Sequence, residues 1–214
     1  MPFKYSCFIS YCHGQGELMK GFVQELKQAL RDYLEPYLDE EIYIDEDRLQ
    51  PGFKFNTALA KAICQSVCMI VVYVPKYPKH TYCLQEYTAM EKIEEMRLEL
   101  LGSNHDSERG MIIPILFRGD RDKLPQKIRS HRHFCDFSKF TTAFTSIRRK
   151  KEYVEKIEDI AQFVARLYDE CRSSGKELCS SCDAFEMPTE DEIGGWRPQR
   201  FGRKSQLPLY EEGK

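Results

Sequence analysis

The sequence predicts an α/β fold, in which a five-stranded parallel sheet is covered by helices on both faces. Short apolar runs alternate along the chain with amphipathic segments, and turns that contain Gly or Pro separate them. The run from Cys68 to Val74 is uninterrupted and apolar, which is typical of a central parallel strand. With right-handed crossovers, the five-strand arrangement is the flavodoxin-like order 2-1-3-4-5.

The first strand is predicted over Tyr5–Ser10 and the second over Glu41–Ile44. Between them, large apolar residues recur every four positions and predict a long amphipathic helix: Leu18, Phe22, Leu26, Leu30 and Leu34. The polar stretch Asp45–Gly52 ends in Pro-Gly, which indicates a turn. Asn56 is then expected to cap a second helix, whose inward residues are Leu59, Ala62 and Ile63.

The helix after the third strand is expected to carry Glu86 and to run to about Leu101, with the later acids in water: Glu91, Glu94 and Glu95. A fourth strand is predicted over Met111–Phe117, and its proline indicates a place near an edge or a bulge. A weaker fifth strand covers His133–Phe137. A final helix follows from the apolar spacing of Tyr153, Ile157, Ile160, Ala161, Val164, Leu167 and Tyr168.

Two units are expected, a domain over residues 1–172 and a C-terminal extension over 173–214 that is loosely ordered or packed on the domain. The net charge of −2 gives no electrostatic reason to expect nucleic acid or an acidic membrane as a partner. No apolar run approaches the roughly 20 residues that span a bilayer, and the amino terminus lacks the apolar core of a signal peptide. The expected location is therefore the cytoplasm.

The cysteines are expected to be reduced. Cys7, Cys64 and Cys68 lie in apolar runs and resemble buried small hydrophobes in a reducing compartment. Cys171, Cys179 and Cys182 could bind zinc, but a structural zinc site needs four ligands, and the fourth would have to be Cys135 or a histidine. We therefore expect no metal site and no cofactor.

The predicted topology gathers side chains at one place. Ligands of such sheets bind beyond the carboxyl ends of the strands, where the chain reverses direction between strands 1 and 3. Strand 1 ends at Ser10, strand 2 leads into Asp45, and strand 3 leads to Tyr82 and Glu86. Residues four apart on a helix share a face, so Tyr82 and Glu86 are both expected to look into this crevice.

A single carboxylate can support cleavage of the nicotinamide–ribose bond of NAD+. Ordinary glycoside hydrolysis needs a second acid to protonate the leaving oxygen. The nicotinamide of NAD+ is already cationic and leaves neutral, so one Glu that offsets the developing oxocarbenium charge is enough. Tyr82 and Phe55 would offer rings for stacking, and helix amino termini would hold the pyrophosphate. The geometry alone does not specify NAD+.

Three segments, in order, resemble the TIR (Toll/interleukin-1 receptor) domain family. Tyr5–Tyr11 is similar to its first box, and Ile44–Gly52 is similar to its BB loop. The pattern Tyr82-Cys83-x-x-Glu86 resembles the motif that bears its catalytic glutamate, where Trp is the commoner first residue. The likeness is specific over residues 5 to 90 and looser to about Cys171.

For the enzymatic branch of that family, the resemblance implies NAD+ cleavage to nicotinamide and an ADP-ribose product, linear or cyclic. Glu86 would be the catalytic residue. The NAD+ pocket would be lined by Ser10, Tyr11, His13, Asp45, Arg48, Phe55 and Tyr82. Assembly of copies through the BB loop would involve Leu49, Pro51 and Gly52.

Two functions stay open from the sequence. The first is a stand-alone NADase of the kind found in prokaryotic antiphage (Thoeris-like) systems, activated by self-assembly and signalling to a downstream effector that senses the nucleotide product. The second is a non-catalytic adaptor that binds other TIR domains. An adaptor needs no acid at position 86, so the glutamate there favours the enzyme.

Overall fold

The centre of the sheet is strand β3, Ser66–Tyr73, in which all eight residues are buried. The computed structural model describes residues 3–14, 16–44, 55–102, 110–140, 147–193 and 196. Within these residues the strands pair in parallel in the order β2-β1-β3-β4-β5, which confirms the predicted topology. The other strands are β1 (Tyr5–Tyr11), β2 (Glu41–Ile44), β4 (Ile112–Leu116) and β5 (Cys135–Asp136).

The helices pack in two pairs. Helix α1 (Glu17–Leu34) packs against α5 (Lys151–Ser173), and α2 (Phe55–Cys64) packs against α3 (Thr81–Leu101). Right-handed crossovers place these pairs on opposite faces of the sheet. A short helix, α4 (Gln126–His131), lies before β5.

The predicted spacing of helix α1 is confirmed. Phe22, Leu26, Leu30 and Leu34 are buried, and Leu18 at the first turn is half-buried. These residues form one stripe because positions four apart lie on the same helical face. Their burial against the sheet supplies the main stabilisation of this helix.

Pro114 lies inside β4 without disrupting the sheet. The strand lies between β3 and β5, but β5 pairs with it only from Ile115 onward. A proline lacks the N–H that a neighbouring strand would accept, and it is tolerated where the sheet has an edge. The prediction of a place near an edge is therefore confirmed.

Two local predictions are wrong. Asn56 does not cap α2, because this helix begins at Phe55 and places Asn56 in its first turn. Glu94 is not a solvated acid. Its residue is only 8% exposed, and its carboxylate pairs with Arg132. The ion pair explains the burial, since a charge removed from water needs a partner.

The segment after α5 packs on the domain. It buries the side chains of Leu178, Cys182, Ile193 and Trp196. Among the described helices, none is both long and apolar enough to cross a membrane.

The expectation that Cys64 is a reduced thiol is also wrong, because Cys64 forms a disulfide with Cys182. The two Cα atoms are 5.3 Å apart although 118 positions separate the residues in the sequence. The apolar run around Cys64 correctly indicates burial. It carries no information on the path of the distant C-terminal segment, which brings Cys182 to the end of α2.

Candidate functional site

Ser10 and Glu86 meet at the carboxyl end of β1. Ser10 Oγ donates a hydrogen bond to Glu86 Oε2 at 2.6 Å, across 76 positions of sequence. Ser10 is 1% exposed and Glu86 is 0% exposed. Glu86 belongs to the second turn of α3, which begins at Thr81 just beyond β3. The crossover after β3 therefore delivers this carboxylate to the end of β1, where the sequence argument placed it.

A third residue, Tyr77, holds this pair. Its hydroxyl lies 2.7 Å from Ser10 Oγ and also donates to the carbonyl oxygen of Cys83 at 3.1 Å. Tyr77 is fully buried in a single 3-10 turn, Tyr77–Lys79. Burial raises its pKa well above the ordinary value, and the nearby Cys83 and Glu86 raise it further. The phenol is therefore neutral and acts as a fixed hydrogen-bond donor.

Sequence reasoning missed Tyr77. The only signal is an aromatic residue placed between Pro75 and Pro78, directly after the central strand. Such a pattern indicates a turn. Nothing in this pattern shows that the Tyr77 hydroxyl contacts Ser10.

Tyr82 and Glu86 are one helical turn apart and have different environments. The Tyr82 residue is 50% exposed, whereas Glu86 is completely buried. The Tyr82 side chain is therefore partly in solvent, whereas the carboxylate is not.

Tyr11 and His13 lie at the same end of β1 but on the side of α1. Their rings stack with centroids 4.2 Å apart. Both line a cavity of about 350 Å³, together with Gly14, Met19, Lys20 and Gln24. Neighbouring residues of a strand point to opposite faces, so Tyr11 faces this cavity while Ser10 faces Glu86.

The remaining predicted residues cannot be placed. Asp45, Arg48, Leu49, Pro51 and Gly52 lie outside the described residues. Phe55 begins α2, but its side chain also lies outside the described part of the chain.

No group of three or more His, Cys, Asp or Glu side chains among the described residues could hold a metal ion. Of the three cysteines weighed for zinc, Cys182 is engaged in the disulfide with Cys64. A disulfide sulfur is not a thiolate ligand, so a zinc site that uses Cys182 does not exist in this form of the protein.

The arrangement around Glu86 fixes a carboxylate in orientation. A buried hydroxyl that donates to one carboxylate oxygen restricts rotation of the group. A negative charge placed in this way stabilises positive charge that develops beside it. Because Glu86 is fully buried, a substrate reaches it only after the groups that cover it have moved.

Comparison with known proteins identifies a family. Residues 7–149 match a family model described as TIR domain, which covers more than half of the chain. A search of curated proteins found no match.

Two solved structures are similar to the chain. One is the TIR domain of the Toll-related receptor TRR-2 from Hydra magnipapillata, with 19% identity, 74% of this chain and 98% of that chain covered, and a TM-score of 0.46. The other is the TIR domains of the activated Roq1 resistosome directly recognising the pathogen effector XopQ, with 21% identity, 76% and 84% covered, and a TM-score of 0.41.

Proposed function

The chain belongs to the TIR domain family, and we propose that it is an NAD+ nucleosidase in which Glu86 is the catalytic residue. The products are nicotinamide and ADP-ribose, or a cyclic isomer that signals in immune defence. The observation that carries this proposal is the buried hydrogen bond from Ser10 Oγ to Glu86 Oε2 at the carboxyl end of β1. This is the place where parallel α/β sheets bind their ligands.

The proposed reaction breaks the bond between the nicotinamide nitrogen and the ribose C1′. The electron pair of this bond returns to the ring nitrogen, so that nicotinamide leaves neutral and the ribose becomes an oxocarbenium ion. The Glu86 carboxylate stabilises this cation electrostatically. Water then attacks C1′ and loses a proton, which gives ADP-ribose; attack by a nitrogen of the adenine gives the cyclic product.

Ser10 and Tyr77 act on Glu86 in this scheme. Ser10 has a single hydrogen and donates it to Glu86, and the Tyr77 hydroxyl lies 2.7 Å from Ser10 Oγ. Tyr77 is anchored in turn to the carbonyl of Cys83. The chain of hydrogen bonds holds the carboxylate in one orientation before the substrate arrives.

The burial of Glu86 bears on activation. A fully buried carboxylate is inactive until the site opens. We propose that self-assembly drives this opening through the BB loop, with Leu49, Pro51 and Gly52 as the assembling residues. Activity per molecule would then rise with protein concentration.

The second candidate function is a non-catalytic adaptor that binds other TIR domains. The same burial favours it, because a carboxylate enclosed with Ser10 and Tyr77 could serve the fold alone. The two candidates differ in whether any reaction depends on Glu86.

The test is nicotinamide release from NAD+, measured by chromatography with purified protein at high concentration and with a crowding agent. Glu86→Gln keeps an oxygen that accepts from Ser10 and removes the charge. We expect this variant to lose at least about 100-fold in rate, because a preorganised electrostatic contact is removed. The matched control is Glu95→Gln, an exposed acid on the same helix.

Circular dichroism shows whether each variant is folded. Release by folded Glu86→Gln at the wild-type rate would assign the chemistry to another residue. Absence of release from the wild type under assembling conditions would favour the adaptor. A rate per molecule that does not change on dilution would show that the monomer is sufficient.

A further inference from the structure

A buried arginine lies at the amino end of the sheet, far along α3 from Glu86. Arg97 is 1% exposed. Each of its five N–H groups has an acceptor. Four are backbone carbonyls, those of Cys64, Ser66, Val67 and Leu178, and the fifth is the Cys179 sulfur, 3.8 Å from Nη2.

Arg97 has no carboxylate partner among the described residues. A buried cation without a counter-ion is costly. Burial lowers the pKa of Arg97, and the groups that raise it again are thiols, with Cys179 first and then Cys171. Of these two, only Cys179 accepts a hydrogen bond from the guanidinium.

Cys179 lies beside the disulfide that joins Cys64 to Cys182. Its sulfur is 3.8 Å from the carbonyl oxygen of Cys64. Cys179 and Cys182 are three positions apart in a turn, with Cys182 N donating to Cys179 O at 3.3 Å. The Cα atoms of the first and last residues of such a turn are within about 7 Å of each other. A disulfide can span this separation.

We propose that Cys179, Cys182 and Cys64 form a thiol–disulfide exchange site, in which Arg97 positions the attacking sulfur. The Cys179 thiolate attacks the sulfur of Cys182. A Cys179–Cys182 bond forms as the Cys64–Cys182 bond breaks, and Cys64 leaves with the electron pair and takes up the proton that Cys179 lost. The exchange is an isomerisation and consumes no oxidant or reductant.

Arg97 is the neighbouring side chain that favours the Cys179 thiolate. Burial raises the pKa of Cys179, and Arg97 opposes this rise by attraction and by its hydrogen bond. Burial also raises the pKa of Cys171, to about 11. Cys171 is only 2% exposed, whereas Cys179 is partly accessible. The thiolate is the nucleophile in exchange, so Cys179 is the better placed of the two.

The exchange would detach the C-terminal segment from α2. The existing disulfide links this segment to the end of α2 through Cys64 and Cys182. Pro188 of the same segment accepts a hydrogen bond at 2.7 Å from Gln85 Nε2 of α3. Farther along the chain, Trp196 packs edge-on against Tyr87, with the ring centroids 4.6 Å apart. Trp196 is the sole tryptophan of the chain and therefore reports on this segment by fluorescence.

The test uses the full chain, incubated at pH 8.5 without reductant or NAD+. Samples are quenched with N-ethylmaleimide over time, and disulfides are mapped by peptide mass spectrometry. We expect the wild type to yield a Cys179–Cys182 peptide together with labelled Cys64. Cys179→Ser should retain Cys64–Cys182 alone and label Cys64 at least tenfold less. Cys135→Ser, which removes another partly buried thiol, is the matched control and should behave like the wild type.

Acrylamide quenching of Trp196 gives the second measurement. We expect quenching to increase as the exchanged form accumulates in the wild type and to stay constant in Cys179→Ser. The proposal is overturned if the wild type forms no Cys179–Cys182 peptide, or if Cys64 labelling is the same in Cys179→Ser. Unchanged quenching in the exchanged wild type would overturn the detachment. The assay contains no NAD+, so its outcome is independent of the proposed nucleosidase activity.

Discussion

Helix α3 carries two buried carboxylates, Glu86 and Glu94, that are held in different ways. Glu94 accepts two N–H groups from the Arg132 guanidinium, one of them at 2.6 Å, and the backbone N–H of Met111. Glu86 accepts the Ser10 hydroxyl. The partner of Glu94 is a cation that neutralises it, whereas the hydroxyl of Ser10 orients Glu86. Burial alone therefore does not identify a functional acid; the chemistry of the partner is also needed.

Gly110 leaves space for the ion pair between Glu94 and Arg132. A side chain at Gly110 would collide with both Arg132 Nη1 and Glu94 Oε1, so the glycine leaves the room that the pair occupies. The same pair raises the pKa of Arg132 against the opposing effect of burial. We infer that Glu94 serves the fold.

The largest expected effect on stability is that of Glu94→Gln. It leaves the part-buried Arg132 guanidinium without its counter-charge, and the loss of charged hydrogen bonds of this kind costs about 1.5–3 kcal/mol. Urea denaturation, followed by circular dichroism, measures the change in the free energy of unfolding. Glu95→Gln on the exposed side of the helix is the control and should stay within about 0.5 kcal/mol of the wild type. A cost for Glu94→Gln close to that of the control would remove the contrast between the two acids.

Glu86→Gln is expected to cost less, about 1 kcal/mol or under, because the amide oxygen still accepts the Ser10 hydrogen. The same urea experiment applies. A cost as large as that of Glu94→Gln would show that Glu86 also serves the fold, and would favour the adaptor over the enzyme. A small cost combined with lost nicotinamide release would separate the two acids by function.

The sheet and the proximity of Ser10 to Glu86 could be predicted because both follow from local patterns and chain topology. Apolar runs identify the strands, and the order of parallel strands brings the ends of β1 and β3 side by side. The prediction that Glu94 is solvated fails for a different reason. Its partner Arg132 is 38 positions away, and no periodicity within α3 reports on it.

The same limit applies to the disulfide and to Tyr77. Cys64 and Cys182 are paired by the path of a segment that has little apolar pattern of its own. Tyr77 lies in a 3-10 turn directly after the central strand, and its hydroxyl contacts Ser10 Oγ. Sequence patterns indicate burial, whereas the choice of partner depends on how distant segments meet.

The smallest expected effect concerns an exposed ion pair between Lys92 of α3 and Glu192 of the C-terminal segment. The hydrogen bond from Lys92, followed by that from the Thr189 N–H, lowers the pKa of Glu192 to about 2 from an ordinary 4.5. A carboxyl whose folded pKa is depressed stabilises the folded state above its unfolded pKa and loses that contribution as pH falls through the folded value. Attachment of the segment should therefore be constant above pH 4.5 and weaken between about pH 4.5 and 2.

Acrylamide quenching of Trp196 across this pH range measures the attachment, and far-UV circular dichroism at each pH separates local detachment from global unfolding. Glu192→Gln should make quenching insensitive to pH in this window. Salt should weaken the wild-type dependence, since both side chains are more than 40% exposed and solvent screens them. A variant that retains the full wild-type pH dependence would assign it to another carboxyl group. A dependence lost in Glu192→Gln and screened by salt would assign the attachment in this pH range to the exposed Lys92–Glu192 pair.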